Sequence, residues 1–151
     1  MLTLSNKIMF SIEAVVDIAY HSNGQPVQSR QITRRQNIPN RYLEHSLQKL
    51  VKGNILTGVR GPKGGYQLAR ERRRISVGEI VTAVTEAQIY ENNEEIETYS
   101  EIFEKVLDPM WKNIQTSIIA KLNTITIEDL CLMAHNNGVH SEGRQKLDYS
   151  I

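Results

Sequence analysis

A chain of 151 residues with 18 Lys+Arg, 17 Asp+Glu and a single cysteine allows one compact domain, or a small domain with an oligomerisation element. One thiol excludes an internal disulfide framework and agrees with a reducing compartment, and no apolar stretch approaches the roughly 20 residues a bilayer span needs. The N-terminus, Met1-Leu2-Thr3-Leu4-Ser5-Asn6-Lys7, lacks the basic start and unbroken apolar core of a secretion signal, so a cytoplasmic protein without a membrane partner is expected.

The formal net charge of +1 conceals a split: residues 1–90 hold 13 Lys+Arg against 6 Asp+Glu, and residues 91–151 hold 5 against 11. A basic first part joined to an acidic second part suits an anionic ligand bound by one part only. Charges clustered on a solvated face are the plainer alternative.

Residues 5–22 place Ile8, Ile12, Val15, Val16 and Ala19 along one helical stripe, with Ser5 as N-cap. Asn23-Gly24-Gln25-Pro26 stops that helix, and Val27 reads as a one-residue strand contact. A short helix over 29–36 follows, capped by Ser29, with Arg30, Arg34 and Arg35 on its exposed side. It ends at Asn37-Ile38-Pro39, and a third helix starts at once at Asn40, whose side chain suits an N-cap. This helix carries Tyr42, Leu43, Leu47, Leu50 and Val51 on its apolar stripe and Arg41, Glu44, His45, Gln48, Lys49 and Lys52 on the other face. Gly53 stands where a left-handed C-cap residue is expected.

Ile55-Leu56-Thr57-Gly58-Val59 and Tyr66-Gln67-Leu68 are β-prone runs joined by Arg60-Gly61-Pro62-Lys63-Gly64-Gly65, hence a hairpin with Arg60 and Lys63 at its tip. Helix, turn, helix and basic hairpin outline a winged helix DNA-binding domain. In that arrangement the second helix of the pair enters the major groove and the wing reaches backbone or minor groove. The run Arg70-Glu71-Arg72-Arg73-Arg74 either binds phosphate or is a solvated loop. Ser76-Val77-Gly78-Glu79 has the form of a capping box ahead of Ile80, Val81, Ala83, Val84 and Ala87, which predicts a fourth helix.

Residues 88–98 are acidic and aperiodic, as in a linker or mobile loop. The helical pattern returns from Tyr99 with Ile102, Phe103, Val106 and Leu107. Pro109 would cost about 3 kcal/mol inside a helix, whereas Asp-Pro suits an N-cap and first position, so the segment is split at Asp108. The helix over 109–123 carries Met110, Trp111, Ile114, Ile118, Ile119 and Leu122 on a stripe that needs cover. A second copy is the expected cover, with folding back on the same chain as the alternative. Thr126 caps a last helix reaching about Ala134, and the polar residues 136–151 are expected to fray. The resulting fold class is mainly α with a small β-hairpin. It divides into a winged helix-turn-helix domain (1–87), a linker (88–98), long C-terminal dimerisation helices (99–135) and a flexible tail (136–151).

Taken together these residues resemble the IscR-type bacterial winged helix transcription regulators over about residues 2–134. The likeness rests on Ala14-Val15-Val16-Asp17-Ile18-Ala19, Tyr42-Leu43-Glu44, the wing string from Val59 to Leu68, Ile75-Ser76-Val77-Gly78-Glu79-Ile80 and the position of Trp111. The resemblance implies a homodimer on double-stranded promoter DNA with its long C-terminal helices crossed at the axis. It also implies that Glu44 discriminates bases and Arg60 enters the minor groove, roles that carboxylate acceptance from cytosine and arginine's preference for a narrow groove make chemically reasonable. Arg30, Asn40, Arg41, Tyr42, Glu44, His45, Lys49, Arg60 and Lys63 form the expected DNA-contacting set. Met110, Trp111, Ile114, Ile118 and Leu122 form the expected dimer interface.

Many members of that family hold an iron-sulfur cluster on three cysteines in the loop before the dimer helix, and residues 88–104 contain none. Cys131, Asp129 and His135 on the last helix offer a thiolate, a carboxylate and an imidazole, with Cys131 and His135 four residues apart on one face. They can hold a metal or iron-sulfur cluster if both subunits contribute; the alternative is that Cys131, between Leu130 and Leu132, is a small buried hydrophobe. No nucleophile with a base, no phosphate loop after a strand and no paired carboxylates occur, so no enzyme is expected. Two functions of different class stay open. One is a sequence-specific DNA-binding regulator, with redox or iron-sulfur sensing through non-standard ligands; the other is a winged helix protein-interaction adaptor with little duplex affinity.

Overall fold

The computed structural model describes residues 4–89 and 98–143. In chain order the elements are α1 (Asn6–His21), α2 (Ser29–Gln36), α3 (Asn40–Lys52), β1 (Leu56–Val59), β2 (Gly65–Leu68), α4 (Val77–Ile89), α5 (Asp108–Leu122) and α6 (Ile127–Asn136). The expected linker over 88–98 lies mostly outside the described residues, and its first two positions extend α4.

α1 is the axis of the winged domain. The Ile8 N–H donates to Ser5 Oγ at 3.4 Å, which caps the helix as the sequence predicts. Its buried set is wider than a single stripe: Ala14, Val15 and Ile18 are fully enclosed, while Ile12 and Val16 are only half-buried. The reason is that α2, α3, α4, α6 and β2 all pack on this one helix. Asp17 is drawn inside with it, 1% exposed.

Two caps differ from expectation. Gln28, rather than Ser29, stands at the start of α2, and its N–H donates to Gln31 Oε1 at 2.8 Å. Pro39, rather than Asn40, precedes α3, and its carbonyl accepts the Tyr42 N–H at 3.0 Å. The ring holds Pro39 in the extended conformation an N-cap position requires, so the helix begins without a side-chain cap and Asn40 is its first residue. At the far end the left-handed residue is Asn54, at φ 58°, and not Gly53, at φ −82°. Gly53 is needed for a different reason: a Cβ there would lie 2.9 Å from the Ala83 Cβ on α4.

β1 and β2 pair antiparallel in the register Leu56 to Leu68 and Val59 to Gly65. Val27 makes the single-residue strand contact expected of it, exchanging hydrogen bonds with Tyr66 at 2.9 and 2.8 Å. Three arginines of the run after the wing pair within the chain: Arg70 with Glu79 at 3.0 Å, Arg73 with Glu71 at 2.7 Å, and Arg72 with Glu128 of α6. The capping box of α4 forms as read, Ser76 N–H to Glu79 Oε2 at 2.8 Å and Glu79 N–H to Ser76 Oγ at 3.1 Å.

The split at Asp108 does not occur. Leu107 and Asp108 both have helical backbone angles, and residues 103–107 form a π-helical turn running straight into α5. The Asp108 N–H bonds back to the Phe103 carbonyl, five residues away, and this widened turn accommodates Pro109 without ending the helix. α6 also departs from the expected grouping with the dimerisation helices, because Ile127 and Cys131 are buried in the winged domain's core. A bridge between Ser76 and Thr126 ties its start to α4, and Thr126 and Asp129 complete its capping box. Nor does the polar segment after α6 fray as far as Gly143, since Ser141 is buried against α1; residues 144–151 lie outside the described residues.

Candidate nucleic-acid interface

α2, the turn 37–39 and α3 set a helix-turn-helix whose geometry follows from a few residues. Asn37 takes the left-handed conformation, φ 54°, and Ile38 plugs the core between the helices. α3 then buries Leu43, Ser46, Leu47 and Leu50. Asn40, Arg41, Glu44, His45 and Gln48 are thereby left exposed on the opposite face, with Lys49 half-buried at its edge.

Tyr42 lies between these faces. Its ring sits 6.3 Å from that of Phe10 on α1, and the Arg41 guanidinium lies 4.6 Å above it while donating to Tyr42 Oη at 2.7 Å. Stacking and the hydrogen bond restrict Arg41 before any partner arrives, which lowers the entropy lost on contact.

The wing tip carries Arg60 and Lys63, both exposed, around Gly61 at φ +108°. Gln28, at the start of α2, donates to the Pro62 carbonyl at 3.4 Å and so ties the wing to the helix pair. On α2, Arg30 is exposed, its Nε donating to Gln28 Oε1 at 2.7 Å. Arg35 is not on the exposed side as expected: its side chain is 10% exposed and grips Asp17. The sequence reading missed this pair, and the signal was an acidic residue between the apolar neighbours Val16 and Ile18 of a core helix. Each residue of the expected DNA-contacting set thus comes from α2, α3 or the wing.

α5 stands apart from this surface. Met110, Trp111, Ile114 and Ile118 are 39 to 49% exposed and Leu122 is half-buried, so the stripe is largely uncovered within the chain.

The expected ligand set does not assemble. The Asp129 carboxylate is committed to the α6 capping box, accepting the Thr126 N–H at 2.9 Å. Cys131 faces the core, where burial pushes its thiol up, while His135 is exposed. Among the described residues of the one chain no three His, Cys, Asp or Glu side chains come together as metal ligands. The spacing of 131 and 135 is correct for one face, yet α6 packs so that only Cys131 is enclosed.

A recognition helix with a polar outer face, a supporting helix and a basic wing define a winged helix DNA-binding transcription regulator. The profile of the Rrf2 family, described as iron-dependent transcriptional regulators, matches residues 4–132, and the chain belongs to this family. It is 30% identical over 148 residues to the HTH-type transcriptional regulator IscR of Vibrio vulnificus, covering 98% of this chain and 87% of that one. It is 35% identical over 130 residues to the IscR of Sodalis glossinidius, with coverage of 84% and 77%. Among solved structures, T. potens IscR is similar at a TM-score of 0.71, 30% identity and 93% coverage of both chains. The CymR global cysteine regulator of B. subtilis shares the fold at a TM-score of 0.65 and 24% identity, over 88% of this chain and 98% of that one.

Proposed function

We propose that this regulator acts in the cytoplasm as a homodimer on a two-fold operator. α3 enters the major groove, Arg60 and Lys63 reach the adjacent minor groove and backbone, and α5 packs on its copy. The observation that carries this reading is the exposure of Arg41, Glu44 and His45 on the face of α3 opposite its buried stripe, together with that of Arg60 and Lys63 at the wing tip. Arg41 and Glu44 supply base-edge chemistry, a forked donor for guanine and an acceptor for cytosine N4. Arg30, Asn40, Tyr42 and Lys63 supply positioning contacts to phosphate and sugar, whereas the Lys49 Nζ, expected among them, is buried.

The dimer is supported by the apolar strip Met110, Trp111, Ile114 and Ile118 on one long helix, which a two-fold partner would cover with the same strip. Pairing also repeats α3, and helix-turn-helix dimers read half-sites about 34–36 Å apart.

A salt titration of duplex binding tests the reading. Specific affinity is expected to fall linearly with log salt, with a slope set by the number of phosphates neutralised. Weak, salt-independent association with every duplex tried would overturn it.

A further inference from the structure

After α6 the chain reverses at Gly138, φ +78°, and lies across α1 and α2. Tyr20 Oη donates to the Val139 carbonyl, and Ser141 Oγ donates to the Tyr20 carbonyl at 2.7 Å. The Glu142 backbone N–H donates to His21 Nδ1 at 3.1 Å. The Glu142 carboxylate accepts from Arg34 Nη2 at 3.1 Å and from Arg35 Nη1 at 2.9 Å. A Cβ on Gly143 would lie 2.8 Å from the carbonyl oxygens of both His21 and Ser22, so the approach is too close for any larger residue.

His21 is a titratable side chain that this segment engages through a backbone N–H. An imidazole that accepts at Nδ1 is neutral and carries its proton on Nε2, which stands 3.9 Å from Asp17 Oδ2. The charged groups facing the ring are Asp17 from α1, Arg35 from α2, and His140 and Glu142 from the segment. Burial lowers its pKa; Asp17 and Glu142 act against this, and Arg35 and His140 add to it, with a net shift downward. Asp17 has little further bonding to offer an imidazolium, since its oxygens already accept from Arg35 and Gln36. A cavity of about 70 Å³ bordered by His21, Asn23, Gln31, Arg35 and Glu142 gives solvent a route to the ring.

We propose that residues 139–143 form a proton-sensitive clasp on the helix-turn-helix: neutral His21 latches the segment so that Glu142 pairs with the exposed Arg34, and a proton on Nδ1 releases it. Arg34 lies one turn after Arg30 on the same face of α2, so release frees a second guanidinium charge on the surface that meets the DNA backbone. Glu142 therefore competes with phosphate for Arg34.

The sign follows from linkage. His21 is held below its ordinary pKa of about 6.5 when the segment is docked and returns to it when released. Docking is therefore at full strength above that pH and weakens as pH falls toward the docked pKa.

The test is amide hydrogen exchange across 139–143 in the full chain, corrected for intrinsic rates, together with the salt slope of duplex binding. Between about pH 7.5 and 5.5 the native protein is expected to lose about fivefold or more of its protection. His21→Asn keeps an acceptor near the Nδ1 position without titrating, and is expected to hold protection within about twofold. Over the same range the salt slope of the native protein should steepen by about one unit relative to His21→Asn, one phosphate's worth, a comparison that removes pH effects common to both proteins. Glu142→Gln, a half-exposed change, should show the steeper slope already at neutral pH. Equal protection of the native protein at both pH values, parallel loss in His21→Asn, or an unaltered slope in Glu142→Gln overturns the proposal.

Discussion

Arg35 grips Asp17 through two parallel hydrogen bonds, Nε to Oδ2 at 2.9 Å and Nη2 to Oδ1 at 2.7 Å, with the carboxylate wholly enclosed between α1 and α2. The bond to Asp17 raises the Arg35 pKa further, so the guanidinium stays charged throughout the working range. The pair sets how α2 lies on α1, and α3 follows after a turn of three residues. Removing the Asp17 carboxylate leaves the nearly enclosed Arg35 guanidinium with only the half-exposed Glu142 as its charged partner, so Asp17→Ala is expected to cost about 3 kcal/mol of folding free energy. Urea unfolding followed by circular dichroism measures this, and a loss under about 1 kcal/mol would show the pair to be dispensable.

The proposed DNA-binding role gives Arg60 and Glu44 different effects on recognition. Arg60→Ala is expected to weaken operator binding by about 1–3 kcal/mol, and Glu44→Ala to relax base preference more than it changes affinity. Fluorescence anisotropy on a set of single-base operator variants separates the two effects. Identical base preference in the native protein and Glu44→Ala would remove Glu44 from readout.

The exposed strip of α5 makes a prediction about assembly. Trp111→Ala truncates the largest side chain of the strip and Ile114→Asp places a charge in its middle, and both are expected to shift the protein toward monomer in sedimentation velocity. Persistence of the native sedimentation coefficient in both variants places the subunit contact elsewhere.

Backbone geometry in the wing is equally open to test. Gly65 has φ +154°, and a Cβ there would stand 2.4 Å from the Val27 carbonyl oxygen. Gly65→Ala is therefore expected to push β2 off Val27 and misplace Arg60, with DNA affinity falling by about tenfold and a stability loss of about 1–3 kcal/mol. An unchanged dissociation constant would mean that wing placement does not depend on the Val27 bridge.

Cys131 gives a chemical readout of α6 packing. Because burial raises its pKa, less thiolate is present at mildly alkaline pH than for an exposed cysteine. Alkylation by iodoacetamide at about pH 8 should run at least tenfold slower than in the denatured chain, and should speed up as pH rises further. Native and denatured protein reacting at the same rate would show that α6 is not seated on the core.

The periodicity of residues 5–22 and 40–52, the Ser76 capping box and the Gly/Pro turn of the wing were legible because local sequence sets them. A helix stripe, a cap three residues from its partner and a turn that needs glycine are all decided within a few neighbouring residues. The family likeness and the expected DNA-contacting set follow from the same local strings.

What needed the tertiary structure depends on residues far apart in the chain. Arg35 looks like a surface cation until α2 is laid on Asp17, and Glu142 has no meaning in sequence without Arg34 and His21 more than a hundred positions earlier. The continuous helix through Pro109 depends on a π turn that no propensity announces, and Cys131 and His135 are parted because α6 turns Cys131 into the core while the Asp129 carboxylate caps the helix. Short-range patterns determine which segments coil and which face is apolar; long-range packing alone decides which polar groups are enclosed, since that depends on whose surface meets whose.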